Sequence, residues 1–235
     1  MFSLLKQIVY KSHLYLPVLP FSSVLKYLAY LSEAIAWCVS EAKTLPLSGG
    51  GPDSITRFQM YENIKVNNKL DQPIDYLEFG VYRGASIAWW VNANQSPESR
   101  FYGFDTFTGL PEDWGALKEG HFTTAGMVPE IKDSRVIFIK GLFQDTLDRF
   151  LQNYRRRGRL VVHIDADLYS STLFVLTKLG GILKRNDIIL FDEFLAWKYP
   201  THEFRAFCDF AAAYRLQFRM IGASDNFARV SVELL

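Results

Sequence analysis

Cysteine is nearly absent from this chain. Two occur in 235 residues, Cys38 and Cys208, far apart and without metal-ligand spacing. That count excludes a disulfide scaffold, and the pair reads as reduced, small apolar side chains in a cytoplasmic protein. The four histidines are scattered, so a zinc site has no ligand cluster to draw on. Net charge is equally scarce: 26 basic residues against 25 acidic ones leave +1, no electrostatic footprint for nucleic acid. The one basic run, Arg155–Arg157, reads as a solvated turn before a strand. No apolar stretch reaches the roughly 20 residues of a membrane span. In the opening "MFSLLKQIVYKSHLYLPVLPF", lysines interrupt the apolar run and no small-residue cleavage site follows, so it reads as helical and soluble, not as a leader.

What the chain does have is apolar mass. Hydrophobic residues make up 49% and charged ones 22%, enough for one large domain with a helical appendage. Residues 1–47 predict two short amphipathic helices separated at "LPVLPF", where Pro17 and Pro20 break the pattern. Segment 24–39 is very apolar for an exposed helix, which favours a homodimer and leaves a membrane surface as the lesser reading. The Gly- and Pro-dense "LPLSGGGPDS" (45–54) is the clearest linker, dividing an N-terminal extension (1–53) from the main domain (54–235). A helical segment at 54–69, with Ser54 as candidate N-cap, precedes strands alternating with helices.

The predicted strands are 74–79, 100–105, 135–141, 160–167 and 187–193, with helices at 85–94, 145–155, 170–184 and 201–214. Segment 216–234 predicts a hairpin around a Gly222–Asn226 turn. Strands that are apolar rather than alternating imply a mostly parallel sheet covered by helices on both faces. The fold class is therefore α/β, Rossmann-like, with seven strands and one antiparallel member near the end.

Two of these strands end in carboxylates: "VVHIDADLYS" in Asp165 and Asp167, and "DIILFDEF" in Asp192 and Glu193. Glu78 and Asp105 stand at the ends of two more. Ligands of open α/β sheets bind at the carboxyl ends of strands, and clustered carboxylates there need a compensating group. After the first strand, "EFGVYRGAS" brackets a tight turn with Gly80 and Gly84, but Val81, Tyr82 and Arg83 stand where a pyrophosphate would need a central glycine. A ligand with a ribose and no pyrophosphate fits better, and S-adenosylmethionine is such a ligand. Asp105 stands near the distance expected of a ribose-binding acid.

The segments "YLEFGVYRGAS", "GFDTFTGLPEDW", "GHFTTAG", "KGLFQDTL", "HIDADLYSST" and "LFDEF" occur in order over residues 54–215. Together they resemble the macrocin O-methyltransferase (TylF/MycF-like) family of class I S-adenosylmethionine-dependent methyltransferases. The resemblance implies a seven-stranded methyltransferase fold and magnesium-dependent methylation of a hydroxyl, often on a sugar. It implies that Glu78, Gly80, Gly84 and Ser86 line the methionine end of the cofactor, with Val81, Tyr82 and Arg83 in the same loop and Arg83 meeting its carboxylate. Asp105 would take the ribose hydroxyls, Leu142 and Phe143 would flank the adenine, and Asp165, Asp192 and Glu193 would hold Mg2+ or another hard divalent cation. Where relatives often show two aspartates after the fifth strand, this chain has Asp-Glu. The N-terminal helices would form a lid or a subunit contact.

Methyl transfer from a sulfonium is an in-line displacement, and an alcohol must be polarised or deprotonated to act as its nucleophile. A hard cation held by Asp165 and the acid pair would do this. His202 in "YPTHEF" is the leading candidate base, since imidazole titrates near neutrality; His121 is an alternative, and His163 reads as a satisfied core residue. Among the tryptophans, Trp114 and Trp197 are candidates to stack on a sugar, and Trp89 and Trp90 read as helix packing. The rival enzyme reading is a metal-dependent glycosyltransferase using the D-x-D at Asp165/Asp167. A catalytically silent binding scaffold is a third.

Overall fold

The structure, a computed structural model, describes residues 2–43, 45, 55–195 and 201–235. Helix α1 (Phe2–Lys11) and a single 3-10 turn (Leu19–Phe21) lead into α2 (Ser22–Ala42), then α3 (Arg57–Asn67). The alternating region follows as β1 (Ile74–Phe79), α4 (Ala85–Ala93), β2 (Arg100–Asp105), β3 (Val136–Lys140), α5 (Phe143–Asn153), β4 (Arg159–Ile164), α6 (Tyr169–Leu179), β5 (Ile188–Phe191) and α7 (Glu203–Tyr214). A hairpin of β6 (Phe218–Ser224) and β7 (Arg229–Leu234) ends the chain.

The seven strands lie in the order β3-β2-β1-β4-β5-β7-β6. β7 alone runs opposite to the other six strands. The direction of winding reverses between β1 and β4, and the crevice at such a switch point is where open sheets bind ligands. Two apolar layers cover the faces. One side carries α3 and α4 through Met60, Tyr61, Ile64, Ile87 and Trp90. The other carries α5, α6 and α7 through Leu147, Val175, Leu176, Phe207 and Phe210.

The predicted architecture is therefore observed, and the differences lie at element ends. Strand β4 stops at Ile164 and β5 at Phe191, so Asp165, Asp167, Asp192 and Glu193 lie in the loops just beyond the ladder. Helix α6 stops at Leu179 because Gly180 and Gly181 follow; a Cβ at Gly180 would come within 2.4 Å of the Tyr214 ring. The cap of α3 is Thr56, in a capping box with Gln59, while Ser54 lies outside the described residues, as does most of the 45–54 linker.

The second N-terminal helix is not short. At 21 residues α2 runs on until its second half joins the core. Ala34 and Cys38 are buried there, and the Trp37 ring lies 5.4 to 6.4 Å from Phe194, Phe204 and Phe207.

Candidate active site

Successive strand residues face opposite sides of a sheet, so parity decides which side chains meet. Tyr76 of β1, Phe101 of β2, Val161 of β4 and Leu190 of β5 all belong to the layer under α3 and α4. Counting on by twos reaches Glu78, Asp105, His163, Asp165 and Asp192. Register sets them side by side: Glu78 pairs with His163, and His163 with Leu190, two residues before Asp192. A cavity of about 290 Å³ opens at these strand ends.

Of the predicted residues, Glu78, Gly80, Val81, Tyr82, Arg83, Ser86, Asp105, Leu142, Phe143, Asp165, Asp192 and Glu193 line this cavity. Gly84 does not; it turns the chain into α4 as the N-cap, with φ +78°. Gly80 (φ +94°) is required by close approach, since a Cβ there would sit 1.8 Å from the carbonyl oxygen of Asp165. The loop is clasped by Asp105, whose Oδ2 accepts the N–H groups of Val81 and Tyr82 at 2.8 Å and whose Oδ1 accepts that of Phe107 at 2.6 Å. These bonds hold Tyr82 (φ +50°) and Phe107 (φ +58°) in the left-handed region, a strained backbone of the kind that gathers at functional sites. They also occupy most of the capacity of a carboxylate predicted from sequence to be free for a ribose.

Behind the cavity lies a buried ionic network. Tyr76 donates to Glu78 Oε2 at 2.6 Å and its oxygen receives His163 Nδ1 at 2.9 Å. His163 Nε2 lies 3.3 Å from the Tyr61 hydroxyl and 3.8 Å from Asp192 Oδ1. Asp192 is gripped by Arg57 through Oδ2 and by Arg229 Nε through Oδ1, both at 2.9 Å. Burial opposes the Asp192 charge, but His163, Arg57 and Arg229 outweigh it and hold the carboxyl at about 2. Burial likewise opposes a charge on His163, and Asp192 and Glu78 outweigh it, raising the ring to about 9.

Among the described residues, His163, Asp165 and Asp192 bring potential metal-ligand atoms within 4.8 Å of one another. His163 lies between Glu78 and Asp192 with its Nδ1 on the Tyr76 oxygen and its Nε2 beside the Tyr61 hydroxyl, the position of a buried counter-ion. Its raised value is a stability contribution fully present below about pH 6.5, the ordinary histidine value, and lost as pH rises through about 9. In EDTA, the melting temperature should therefore fall between pH 7 and 9.5. A His163→Gln variant should lose the part of that slope nearest pH 9, above the values of about 8 and 7 to which Asp167 and Glu193 are raised, and an unchanged slope there would remove the imidazolium from the network.

The remaining acids are under-compensated. Burial and then Asp192 push Asp165 well above the usual carboxylate range. Burial and then Glu193 raise Asp167 to about 8, and burial and then Asp192 raise Glu193 to about 7. The cavity wall carries six carboxylates, Glu78, Asp105, Asp165, Asp167, Asp192 and Glu193, against the two guanidinium groups of Arg57 and Arg83. That excess, all oxygen donors, suits a hard cation and a cationic ligand.

His202 is not brought to the cavity. Its Nδ1 accepts the backbone N–H of Tyr169 at 3.2 Å, which caps α6, and burial followed by Arg205 lowers its proton affinity. The residues that sequence reasoning missed are Arg57, Arg229, Tyr61, Tyr76 and the buried Glu203, which accepts the Glu193 N–H at 2.9 Å. A signal existed for Arg57, a cation in the first turn of a helix, where the helix dipole disfavours one. Trp114 lines the cavity; Trp89 and Trp90 pack against Tyr61; Trp197 lies outside the described residues.

The family model described as "Methyltransferase domain" matches residues 77–194, half of the chain, from within β1 to just past Glu193. The chain belongs to this methyltransferase family. A curated relative, the 8-demethyl-8-(2,3-dimethoxy-alpha-L-rhamnosyl)-tetracenomycin-C 4'-O-methyltransferase of Streptomyces olivaceus, is 29% identical over 157 residues. The match covers 57% of this chain and 58% of that protein, so it spans less than two thirds of the relative's length. Among solved structures, the calicheamicin methyltransferase CalS11 superposes with a TM-score of 0.59 at 22% identity, covering 76% of this chain and 80% of that one. The O-methyltransferase NovP superposes at 0.56 with 20% identity, covering 90% and 99%. At such identities these two structures bear on the fold alone, which the chain shares with them.

Proposed function

We propose that this methyltransferase moves a methyl group from S-adenosylmethionine to a hydroxyl of a sugar or glycosylated small molecule, with a hard divalent cation such as Mg2+, in the manner of the macrocin O-methyltransferase family. The observation that carries the reading is the parity-driven convergence of Glu78, Asp105, Asp165 and Asp192 on one cavity beside the Gly80 loop. The sugar acceptor is supported by the Streptomyces olivaceus relative, a 4'-O-methyltransferase of a rhamnosyl-tetracenomycin. The D-x-D glycosyltransferase alternative is not favoured, because Asp165 and Asp167 belong to a domain matched as a methyltransferase.

In this reading the cofactor's methionine end lies over Gly80 and Ser86, near the N-terminus of α4, which carries neither a side-chain cap nor an acid in its first turn. Asp105, its orientation locked by three N–H groups, turns its remaining capacity to the ribose. Leu142 and Phe143 pack on the adenine, and Trp114 and Phe122 face the acceptor. Asp165, Asp192 and Glu193 would hold the cation, which would supply polarisation of the acceptor oxygen. Asp165 takes the hydroxyl proton, the oxygen forms its bond to the methyl carbon as the sulfur–carbon bond breaks, and S-adenosylhomocysteine leaves. The role given to His202 from sequence thus passes to Asp165.

The test is a pair of measurements. S-adenosylhomocysteine at about 100 times its Kd should stabilise by about 2.7 kcal/mol and raise the melting temperature by roughly 5–10 °C, while uridine diphosphate should not. Labelled S-adenosylmethionine should transfer its methyl to a rhamnosylated acceptor, with activity lost in EDTA and restored by Mg2+. A shift with uridine diphosphate alone would overturn the reading.

A further inference from the structure

The first two helices carry an apolar surface that the cores of the described residues leave exposed, apart from Tyr30 of α2, which packs on one core beneath Arg205. Among the described residues no side chain before Ala34 is buried, and α1 contributes none to either core. Phe2, Leu4, Leu5 and Ile8 are 48 to 81% exposed. By helical spacing they form one stripe with Val9, while Ser3 and Gln7 lie opposite and Lys6 and Lys11 flank the two edges. Along α2, Val24, Leu28, Ile35 and Val39, all 42% exposed or more, make a second stripe beside the face that docks through Ala34 and Cys38. Between the two helices, Leu14, Leu16, Val18, Leu19 and Phe21 are exposed as well.

Charge identifies the occupant. Lys6, Lys11 and Lys26 are the charged side chains of residues 2–32, with no acid until Glu33. A second copy packed here would face lysines with lysines and offer no carboxylate to either set. An anionic bilayer offers hydrocarbon for the stripes and negative headgroups for the flanking ammonium groups. Tyr10 and Tyr15 add amphipathic rings of the kind that settle at that boundary. Ten residues of α1 are about 15 Å of helix, half a hydrocarbon core, and no helix of the described residues is long and apolar enough to cross a membrane. Such an element has the length and pattern for the surface of a membrane and not for a span across it. We propose that α1 and the first half of α2 form an interfacial anchor that seats this protein on an anionic lipid surface, independently of the chemistry in the cavity.

Flotation of the full chain with phosphatidylcholine vesicles, with and without about 30 mol% phosphatidylserine, tests this. Binding is expected to the anionic vesicles and to weaken as salt rises. Lys6→Ala with Lys11→Ala should weaken it roughly thirtyfold. Leu5→Glu with Ile8→Glu should abolish it without lowering the melting temperature, since both side chains are exposed. Equal affinity for neutral and anionic vesicles would overturn the proposal. So would no vesicle binding together with a dimer in sedimentation velocity that Leu5→Glu/Ile8→Glu dissociates.

Discussion

Asp165→Asn should lower the methyl-transfer rate at saturating cofactor by a factor of about 10²–10⁴, the usual value of a positioned proton acceptor. The amide keeps the carboxyl's shape, so the backbone oxygen of Asp165 that packs against Gly80 stays in place. S-adenosylhomocysteine affinity should change less than about threefold, because the loop beneath the cofactor is held by Asp105 and not by this side chain. Burial and Asp192 already resist the Asp165 charge, so removing it should leave the melting temperature equal or higher. Lost activity with gained stability is a signature that a merely structural residue would not produce. His202→Ala, which touches the α6 terminus and not the cavity, should keep turnover within about threefold. Single-turnover transfer with isothermal titration of S-adenosylhomocysteine separates these effects. Should Asp165→Asn turn over within tenfold of the parent, the base lies elsewhere.

Asp192→Ala should act in the opposite way, through stability. The substitution leaves Arg57, Arg229 and His163 without the carboxylate that joins them. Removing one partner of a buried charge cluster costs about 3–5 kcal/mol, and for a chain of this size that is a drop of roughly 6–20 °C in melting temperature. The sign follows from the depressed carboxyl. Its contribution is present above the ordinary aspartate value of about 3.9 and lost as pH falls through about 2, so at pH 7 the full loss is seen. Adding Arg57→Met should restore part of the stability by removing a stranded guanidinium, without restoring activity. A thermal melt in EDTA decides the matter. If Asp192 served only a metal, metal-free Asp192→Ala would melt at or above the parent temperature.

The sheet and the acids were legible in the sequence because local patterns specify them. Runs such as "IDYLEF" and "LVVHI" are largely apolar and not alternating, which places strands in a sheet buried on both faces, and acids at their ends fall at one rim whatever the loops do. The ion network was not legible. Arg57 is 135 residues from Asp192, and Arg229 arrives from the one antiparallel strand, so only the closed sheet joins them. His202 misled for the same reason: its position after the acid pair suggested proximity, yet the cap of α6 took its ring. Strand β4 ends at Ile164, three residues before the predicted Asp167, since Ala166 between two aspartates continues the strand-like pattern while Asp167 adopts φ +58°.

By itself the sequence determined the strand-helix alternation, the Gly80–Gly84 turn and the row of carboxylates, because each depends on residues close in the chain. Tertiary structure decided which of those carboxylates are held ionised by cations, as Asp192 is, and which are pushed toward the protonated form, as Asp165 and Asp167 are. The physical reason is that a carboxylate's chemistry depends on cations brought to it from distant segments, and burial multiplies the effect of every such encounter.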